Sequence, residues 1–374
     1  MPNKNKVVFF TTSTYSVNAF CFPQIVKLSQ HNYRVYLICG SGDLEKPIYE
    51  YLEKVFSINS LNRKFSIIND CISFMIIIKI LLILRPNLII YATPKAALLG
   101  SVASFVARVP NRIYQIWGIR WQNLTGLSRF LVRCADFIAL KLSTKILAVS
   151  NSVLSYLRKY TKFENMEVLG LGSTAGIDTN IFYYKHEESN HKHVIKLGYA
   201  GRIAKDKGIE DLVTIFEIIS HNNDYQLELI GDLDKTDPIS PLVIKKIKDN
   251  PNIIWINNLS RDELAVRMRN WKAQIFLSRR EGLGNVILEA GACGVPTFCW
   301  KITGTVDAMP DFCNKFIIDR YNETMLKHGI EEYLGNPFNE KEKQDLSNWY
   351  TENFNQELVM DNFLTYVEKL EKNE

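Results

Sequence analysis

This sequence of 374 residues lacks paired cysteine motifs, a secretory signal and the motifs of nucleic-acid-binding proteins. Its seven cysteines show no CxxC spacing and lie mostly in apolar runs, so we expect buried, reduced thiols of a cytosolic protein. The N-terminal residues lack the apolar core and cleavage site of a secretory signal, which also favours a cytoplasmic location. Zinc-finger spacing, RNP-like strands and helix-turn-helix patterns are absent, so nucleic acid is not expected as a partner.

A long hydrophobic run is missing as well. The longest apolar stretch, Cys71–Leu84, is shorter than the ~20 residues of a membrane span. It carries Lys79 and ends at Arg85 and Pro86. We therefore expect a mostly buried helix at this position and no transmembrane segment.

What is present is an alternation of short apolar runs and helical segments. The composition, 47% hydrophobic and 23% charged, is globular, and the length suits two domains. The predicted strands are Val7–Phe10, Arg34–Cys39, Leu88–Tyr91, Arg112–Ile116, Ile146–Val149, Ile195–Tyr199, Gln226–Ile230, Ile253–Ile256, Gln274–Leu277 and Pro296–Cys299. The pattern predicts the α/β class, with parallel sheets covered by helices on both faces.

A polar, charged segment at Tyr184–Lys192 interrupts this alternation and is interpreted as the linker between two domains. The first domain then covers residues 1–184 and the second covers residues 185–340. A last amphipathic helix over 341–374 is expected to cross back to the first domain.

Basic residues are concentrated in the segment Lys95–Lys145, which holds eight of them against the single acidic residue Asp136. The whole chain has a net charge of only +5. Aromatic and aliphatic residues are interleaved with the basic ones, a combination that suits an anionic membrane surface or a phosphate-bearing substrate. An ordinary solvated basic face is the alternative.

Two loops carry the residue types of a phosphate site. After the predicted strand Gln274–Leu277, a glycine-containing loop leads into a helix from Asn285, and such a helix N-terminus attracts anions. Glu281 and Glu289 flank this loop and suit the hydroxyl groups of a sugar and a ribose, although Glu289 alone could be an ordinary helix-surface residue.

The second loop follows the predicted strand that ends at Gly201. Arg202 and Lys207 lie on it, where α/β sheets bind their ligands. Together they are able to clamp a diphosphate, with Arg202 acting as a fork and Lys207 as a point charge.

These elements, with the turn at Gly231 and Asp232, resemble the family 4 retaining glycosyltransferases of the GT-B fold. The resemblance implies two Rossmann-like domains that face a cleft, and a hexosyltransferase-type enzyme. The segments Tyr91–Gly100, Val168–Phe182 and Thr303–Met309 are similar to a subgroup that acts on polyprenyl-diphosphate-linked sugars in bacterial capsule, O-antigen or glycan assembly.

Roles follow from the resemblance, position by position. It implies that Glu289 holds the ribose, that Glu281 contacts the donor sugar, and that Arg202 and Lys207 neutralise the leaving diphosphate. The remaining donor-binding positions that it implies are Gly201, Gly231, Leu283, Gly284 and Asn285.

No cofactor or metal is expected beside the nucleotide-sugar donor. A convincing DxD-type metal site is not present in the sequence. The histidines at the linker, His186, His191 and His193, lack nearby carboxylate or cysteine partners, so a solvated segment is expected there.

The sequence departs from the family pattern in two segments. Trp117 stands where many members carry a histidine, and no histidine occurs between His31 and His186. The glycine-rich first loop of the family is replaced by Thr11–Phe20. Both departures concern the donor-sugar side of the site and leave the diphosphate clamp of Arg202 and Lys207 unchanged.

Candidate acceptor or cleft residues lie in the first half. Trp117 and Trp121 are either sugar-stacking residues or part of an interior wall, and Arg120 is a candidate phosphate contact. Lys95, Ser16 and Asn18 complete this set.

The resemblance implies retaining transfer from a nucleotide sugar to a polyprenyl-diphosphate-linked sugar, and the expected donor is a UDP-sugar, with an N-acetylated sugar as one candidate. The enzyme would be peripheral on the inner face of the plasma membrane, docked through Lys95–Lys145. One alternative is a catalytically silent homologue that binds nucleotide or membrane. Another is a different GT-B enzyme, such as a nucleotide-sugar epimerase, although the shortage of histidines disfavours proton-transfer chemistry.

Overall fold

The chain forms two compact units in the computed structural model. The structure describes residues 5–62, 66–186, 194–221 and 224–372. The first unit comprises Met1–Gly176 and Gln356–Glu374, and the second comprises Ile177–Asn355. The helices in chain order are α1 (Thr14–Ser16), α2 (Phe22–Gln30), α3 (Ile67–Leu84), α4 (Pro94–Val106), α5 (Gly126–Leu142), α6 (Asn151–Arg158), α7 (Ile209–Ile219), α8 (Pro241–Asp249), α9 (Arg261–Arg269), α10 (Asn285–Ala292), α11 (Glu323–Gly335), α12 (Glu340–Phe354) and α13 (Gln356–Lys372).

In the described part of the first unit, seven parallel strands form one sheet. They are β1 (Lys6–Phe10), β2 (Arg34–Gly40), β3 (Lys54–Ile58), β4 (Leu88–Ala92), β5 (Asn111–Ile116), β6 (Lys145–Ala148) and β7 (Met166–Glu167), in the order β3-β2-β1-β4-β5-β6-β7. The central strands are apolar on both sides because helices cover both faces, and Val8 pairs with Tyr36 on one side and Ile89 on the other.

The handedness of the connections assigns the helices to faces. The steps β3 to β4, β4 to β5 and β5 to β6 run in one direction across the sheet, so right-handed crossovers put α3, α4 and α5 on the same face. The step β1 to β2 runs the opposite way and puts α2 on the other face, where α13 packs against it. Phe363 and Val367 of α13 are buried in the core on that side.

The second unit repeats this arrangement. Its described strands are β8 (Ile195–Ala200), β9 (Tyr225–Ile230), β10 (Ile253–Ile256), β11 (Ala273–Phe276), β12 (Thr297–Trp300) and β13 (Ile317–Ile318), all parallel in the order β10-β9-β8-β11-β12-β13. Numbered within each unit, both sheets contain the Rossmann order 3-2-1-4-5-6. The predicted class, two α/β units with parallel sheets, is confirmed. Strands β3, β7 and β13 were not predicted, because β3 is a half-exposed edge strand and the other two span two residues each.

The units divide at positions other than the predicted linker. Residues 187–193, which include His191, His193 and most of that linker, lie outside the described residues. On the N-terminal side of the predicted linker, the Ile177 N–H donates to the Phe354 carbonyl at 2.7 Å. The segment that follows Gly176 therefore belongs to the second unit. The single helix expected over 341–374 is interrupted at Asn355, where the backbone is extended. Its two parts, α12 and α13, belong to the second and first units.

The expectation that Cys71–Leu84 forms a mostly buried helix is wrong. The segment lies within α3, of which only Ser73, Ile77 and Leu81 are buried. This helix is long and apolar enough to cross a membrane by length and composition, with a mean hydropathy of 2.4. Nearly all positions around α3 are apolar, but the protein covers only the side that carries Ser73, Ile77 and Leu81 and leaves the aliphatic residues of the other side exposed.

Candidate functional site

The candidate site is built from the loops that follow β8, β9 and β11 in the second unit, at the carboxyl edge where the strand order reverses. Two glycines bring these loops together. A Cβ atom on Gly231 would lie 1.9 Å from the Gly201 carbonyl oxygen, and one on Gly208 would lie 2.0 Å from the Leu277 carbonyl oxygen. Gly208 also has a φ of +70°, which favours glycine. Larger residues at either position would force the loops apart.

Arg202 leaves the end of β8 between two carboxylates. One guanidinium nitrogen is paired with Asp234 and the other lies 3.4 Å from Asp206. The buried Tyr199 hydroxyl donates to the Arg202 carbonyl at 2.8 Å and fixes the backbone. Burial alone would raise the pKa of Asp234, but hydrogen bonds from Thr236 and Arg202 outweigh it and hold that pKa below its ordinary value. Asp234 therefore stays charged and orients Arg202.

Lys207 and Glu281 come from different loops and form an ion pair. The Lys207 Nζ lies 2.5 Å from Glu281 Oε1, and the two side chains are only 16% and 13% exposed. The same ammonium lies 5.8 Å from the centre of the Phe276 ring. Beside Glu281, the Arg280 guanidinium lies 3.5 Å from Asp206. The Lys207–Glu281 pair and the cluster of Arg202, Asp206 and Arg280 are thus two charged groups that meet at the adjacent residues Arg280 and Glu281.

The loop after β11 ends in a tight turn at the start of α10. Gly284 has a φ of +84° and caps the helix, and its carbonyl accepts from the Ile287 N–H at 2.8 Å. Leu283 is buried, so it anchors the turn, while Asn285 begins the helix. The first N–H groups of a helix have no partner within it, and they carry the positive end of the helix dipole. This geometry suits an anion such as a phosphate.

Glu289 lies one turn further along α10 and is paired with a residue that sequence reasoning did not single out. Its side chain is 17% exposed, and its Oε1 lies 3.7 Å from the Arg261 guanidinium. A capping box between Ser260 and Glu263 fixes the start of α9 and hence the position of Arg261. Burial raises the pKa of Glu289 to about 7, although Arg261 opposes this rise.

In the first unit, the candidate residues follow β1, β4 and β5, three neighbouring strands, at the carboxyl edge of the sheet. Lys95 is 6% exposed, and its Nζ lies 2.8 Å from Asp70 Oδ1 on α3. The Ser16 side chain is buried, 3.1 Å from the Ser13 hydroxyl. Asn18 accepts a hydrogen bond from the Glu45 N–H at 3.3 Å. Each of the three side chains therefore has a polar partner within the first unit.

The two tryptophans differ. Trp117 is half-buried, 4.7 Å from the Phe20 ring, and donates to Gln115 at 3.3 Å. Trp121 is fully buried against Tyr156 and Tyr160, so its interpretation as a sugar-stacking residue is wrong. Its ring is part of the interior because α5 and α6 close over it. The exposed Arg120 begins the short 3₁₀ turn that contains Trp121.

The residues that sequence reasoning missed are the partners of those it found. Asp206 lies four positions after Arg202 and was visible as a charge pair, whereas Asp234 and Arg261 come from other loops. Among the described residues, no group of three or more His, Cys, Asp and Glu side chains is arranged to hold a metal ion.

Comparison with known proteins identifies relatives along most of the chain. The model of the family "Glycosyl transferases group 1" matches residues 184–349. The capsular polysaccharide biosynthesis glycosyltransferase CapM of Staphylococcus aureus is 30% identical over 343 residues, which cover 88% of either chain.

Solved structures agree in fold at low identity. Sucrose-phosphate synthase from Thermosynechococcus elongatus superposes with a TM-score of 0.81 at 15% identity, covering 99% of this chain and 100% of that one. Anabaena HepE in complex with UDP and glucose gives a TM-score of 0.77 at 16% identity, covering 98% and 100%. The family match, the CapM relationship and these folds lead to one conclusion: the chain belongs to the glycosyl transferases group 1 family and is a glycosyltransferase of the hexosyltransferase type with the GT-B fold.

Proposed function

We propose that the enzyme transfers a sugar from a UDP-sugar to a polyprenyl-diphosphate-linked sugar, with retention of anomeric configuration, in the assembly of a bacterial surface polysaccharide such as a capsule. The relationship to a capsular polysaccharide glycosyltransferase supports the pathway class. The similarity to HepE, whose structure contains UDP and glucose, supports the donor. The sequence resemblance to the polyprenyl-linked subgroup supports the acceptor and the retaining stereochemistry.

The observation that carries the proposal is the charge arrangement in the second unit. Arg202 and Lys207 lie on the loop after β8, while Glu281 and Glu289 lie on either side of the N-terminus of α10. When the bond between the anomeric carbon and the distal phosphate oxygen breaks, negative charge builds on the leaving diphosphate. Two positioned cations and a helix N-terminus stabilise that charge in the transition state.

Binding of the donor diphosphate to Lys207 requires the existing Lys207–Glu281 ion pair to break. Lys207 is held by Glu281, so a diphosphate that reaches Lys207 replaces a carboxylate with a phosphate as its partner. Glu281 is then released toward the hydroxyl groups of the donor sugar. Because the two cations supply the positive charge that a divalent ion would otherwise provide, we propose that transfer needs no metal.

A ligand screen tests the donor. UDP, GDP, ADP and UDP-sugars are added with EDTA, and the melting temperature and heat of binding are measured. We expect stabilisation by the uridine series alone, reaching about 2.7 kcal/mol at a hundredfold excess over Kd. Stabilisation by the guanosine series would identify a GDP-sugar as the donor in place of a UDP-sugar. The absence of a response to any nucleotide would contradict the proposed function.

Asp234 is proposed as the residue that positions Arg202. Asp234→Ala should reduce kcat by about tenfold, because Arg202 loses the partner that orients it, while KM for the donor stays within about twofold. In the double variant with Arg202→Ala, the second substitution should add almost nothing. Additive losses would show that Asp234 acts independently of Arg202.

A further inference from the structure

The outward surface of α3 is almost entirely apolar. Its exposed positions recur at intervals of one, three and four residues, which defines one face of the helix. We call this set the outer face of α3; it consists of Ile67, Ile68, Cys71, Ile72, Met75, Ile76, Lys79, Leu82 and Ile83. Lys79 is its single charged member. Ile67 is 86% exposed and Ile83 71%, so the exposure extends along the whole helix.

The opposite side of α3 carries the polar contacts that a surface helix normally gives to water. Ser73 is buried, and its hydroxyl lies 2.8 Å from that of Ser60. Asp70 accepts a charge-assisted hydrogen bond from Lys95 of α4 at 2.8 Å. The inward side combines these two polar contacts with the buried Ile77 and Leu81, while the outward side is almost entirely apolar, so α3 lacks the polar outer face of a helix that faces water. Turning it around would break the Asp70–Lys95 pair.

The neighbouring helices on the same face of the sheet extend this surface. Helix α4 packs against both α3 and α5. On α5, Leu127, Phe130 and Leu131 are exposed. Their neighbours in sequence include Arg129 and Arg133, within the segment that has eight basic residues and one acidic residue. Of these eight, Arg108, Arg120 and Lys141 are exposed. Exposed aliphatic residues together with exposed basic ones are the combination that an anionic lipid surface complements.

We infer that α3 lies flat in the interface of an anionic lipid bilayer, with its outer face in contact with the acyl chains. Both ends of α3 connect to strands of one sheet, β3 before it and β4 after it, so the helix is unable to cross the bilayer without removing β4 from the centre of the sheet. Its 18 residues extend about 27 Å along the membrane plane. Lys79 has a stem long enough to raise its ammonium to the headgroups.

Two features favour lipid over a second copy of this chain. The outer face is mostly aliphatic and has no Tyr, Trp or Arg, the residues that carry most of the binding energy in protein interfaces. Pairing of two outer faces would also bring two basic segments together at the cost of like-charge repulsion.

Because α3 and α5 both begin at the carboxyl edge of the sheet, the lipid surface would lie next to the loops that hold the candidate acceptor residues. That last step rests on the proposed function, whereas lipid binding by α3 does not.

Cys71 provides a reporter on the outer face itself. It is exposed, and Cys134 is the other described cysteine that is not buried. In the full chain with Cys134→Ser, Cys71 is labelled with the environment-sensitive dye NBD. Phosphatidylcholine vesicles that contain phosphatidylglycerol should shift its emission to the blue and increase it severalfold. A label at Leu242→Cys on α8, in a Cys71→Ser, Cys134→Ser background, is the control and should not respond. If the protein co-sediments with vesicles and the Cys71 label does not change, the inference is overturned.

Substitutions on the outer face of α3 distinguish lipid insertion from binding through another surface and from dimerisation. Ile72→Glu with Met75→Glu should weaken binding to the anionic vesicles by about tenfold or more. Leu242→Glu, at a residue that is similarly exposed in the second unit, should change it by less than about twofold. Both proteins should keep the wild-type melting temperature and nucleotide affinity, which distinguishes this test from failure of the proposed function. Unchanged vesicle binding, or a wild-type dimer that the double substitution dissociates in light scattering, would refute lipid insertion.

Discussion

Arg202→Ala is expected to reduce kcat by about 10²–10³-fold, the loss that follows removal of one group that stabilises charge in a transition state. The KM for the donor should change by only a few-fold, because Lys207 and the N-terminus of α10 still bind the ground-state diphosphate. The protein should remain folded, since Arg202 lies on the surface loop after β8 and is 43% exposed. Steady-state kinetics with a synthetic lipid-linked acceptor and a thermal melt measure both quantities.

Two variants sharpen this experiment. Arg202→Lys keeps the charge but loses the fork, so its kcat should fall between those of the wild type and the alanine variant. Arg320→Ala removes an exposed arginine that follows β13 in the same unit, and it should leave kcat unchanged. Sugar transfer by Arg202→Ala at the wild-type rate would show that Arg202 is not a catalytic residue.

Glu289→Ala is expected to weaken binding of the nucleotide sugar by about 10–100-fold, since hydrogen bonds from two ribose hydroxyls to a carboxylate would be lost. The wild-type affinity should also depend on pH. Burial raises the pKa of Glu289 to about 7, so the free protein holds a proton on this carboxyl below that pH. A ligand that binds the carboxylate must displace the proton, and affinity should therefore fall by up to about tenfold per pH unit below 7 and level off above it.

The probe for this measurement is a UDP-sugar rather than UDP, because both of its phosphates are diesters and do not titrate near neutral pH. Glu289→Gln is the matched control, since it keeps the shape and some hydrogen bonding but has no proton to release. Its affinity should be lower at pH 8 and nearly independent of pH. An identical pH profile in the wild type and Glu289→Gln would mean that another group controls binding.

Most of the fold was predictable because the strands of a parallel sheet are apolar on both faces. All ten predicted strands are present, whereas β3 was missed because only Ile58 of its five residues is buried at the sheet edge. The orientation of α3 was not predictable from its composition. Nearly every position around this helix is apolar, so periodicity does not distinguish the side that faces the protein. Asp70 and Ser73 decide it through partners that are distant in sequence.

The candidate site was predictable to the extent that it is local. Arg202 and Lys207 share one loop, and Glu281 and Glu289 flank one helix start, so spacing alone grouped them. Their partners depend on tertiary structure. Asp234 reaches Arg202 from the loop after β9, a contact that exists only because β8 and β9 are neighbouring strands.

The division of the chain at Asn355 has a consequence for biosynthesis. The first unit takes its last helix, α13, from residues that are translated after the whole of the second unit. Phe363 and Val367 fill the side of the core beside α2, so this core stays incomplete on the ribosome until α13 has emerged. The second unit is continuous in sequence and is able to fold earlier, although domains usually fold in N-terminal order. The nascent first unit would therefore expose the apolar surface of α2 for most of synthesis, and that surface is where a chaperone would be needed.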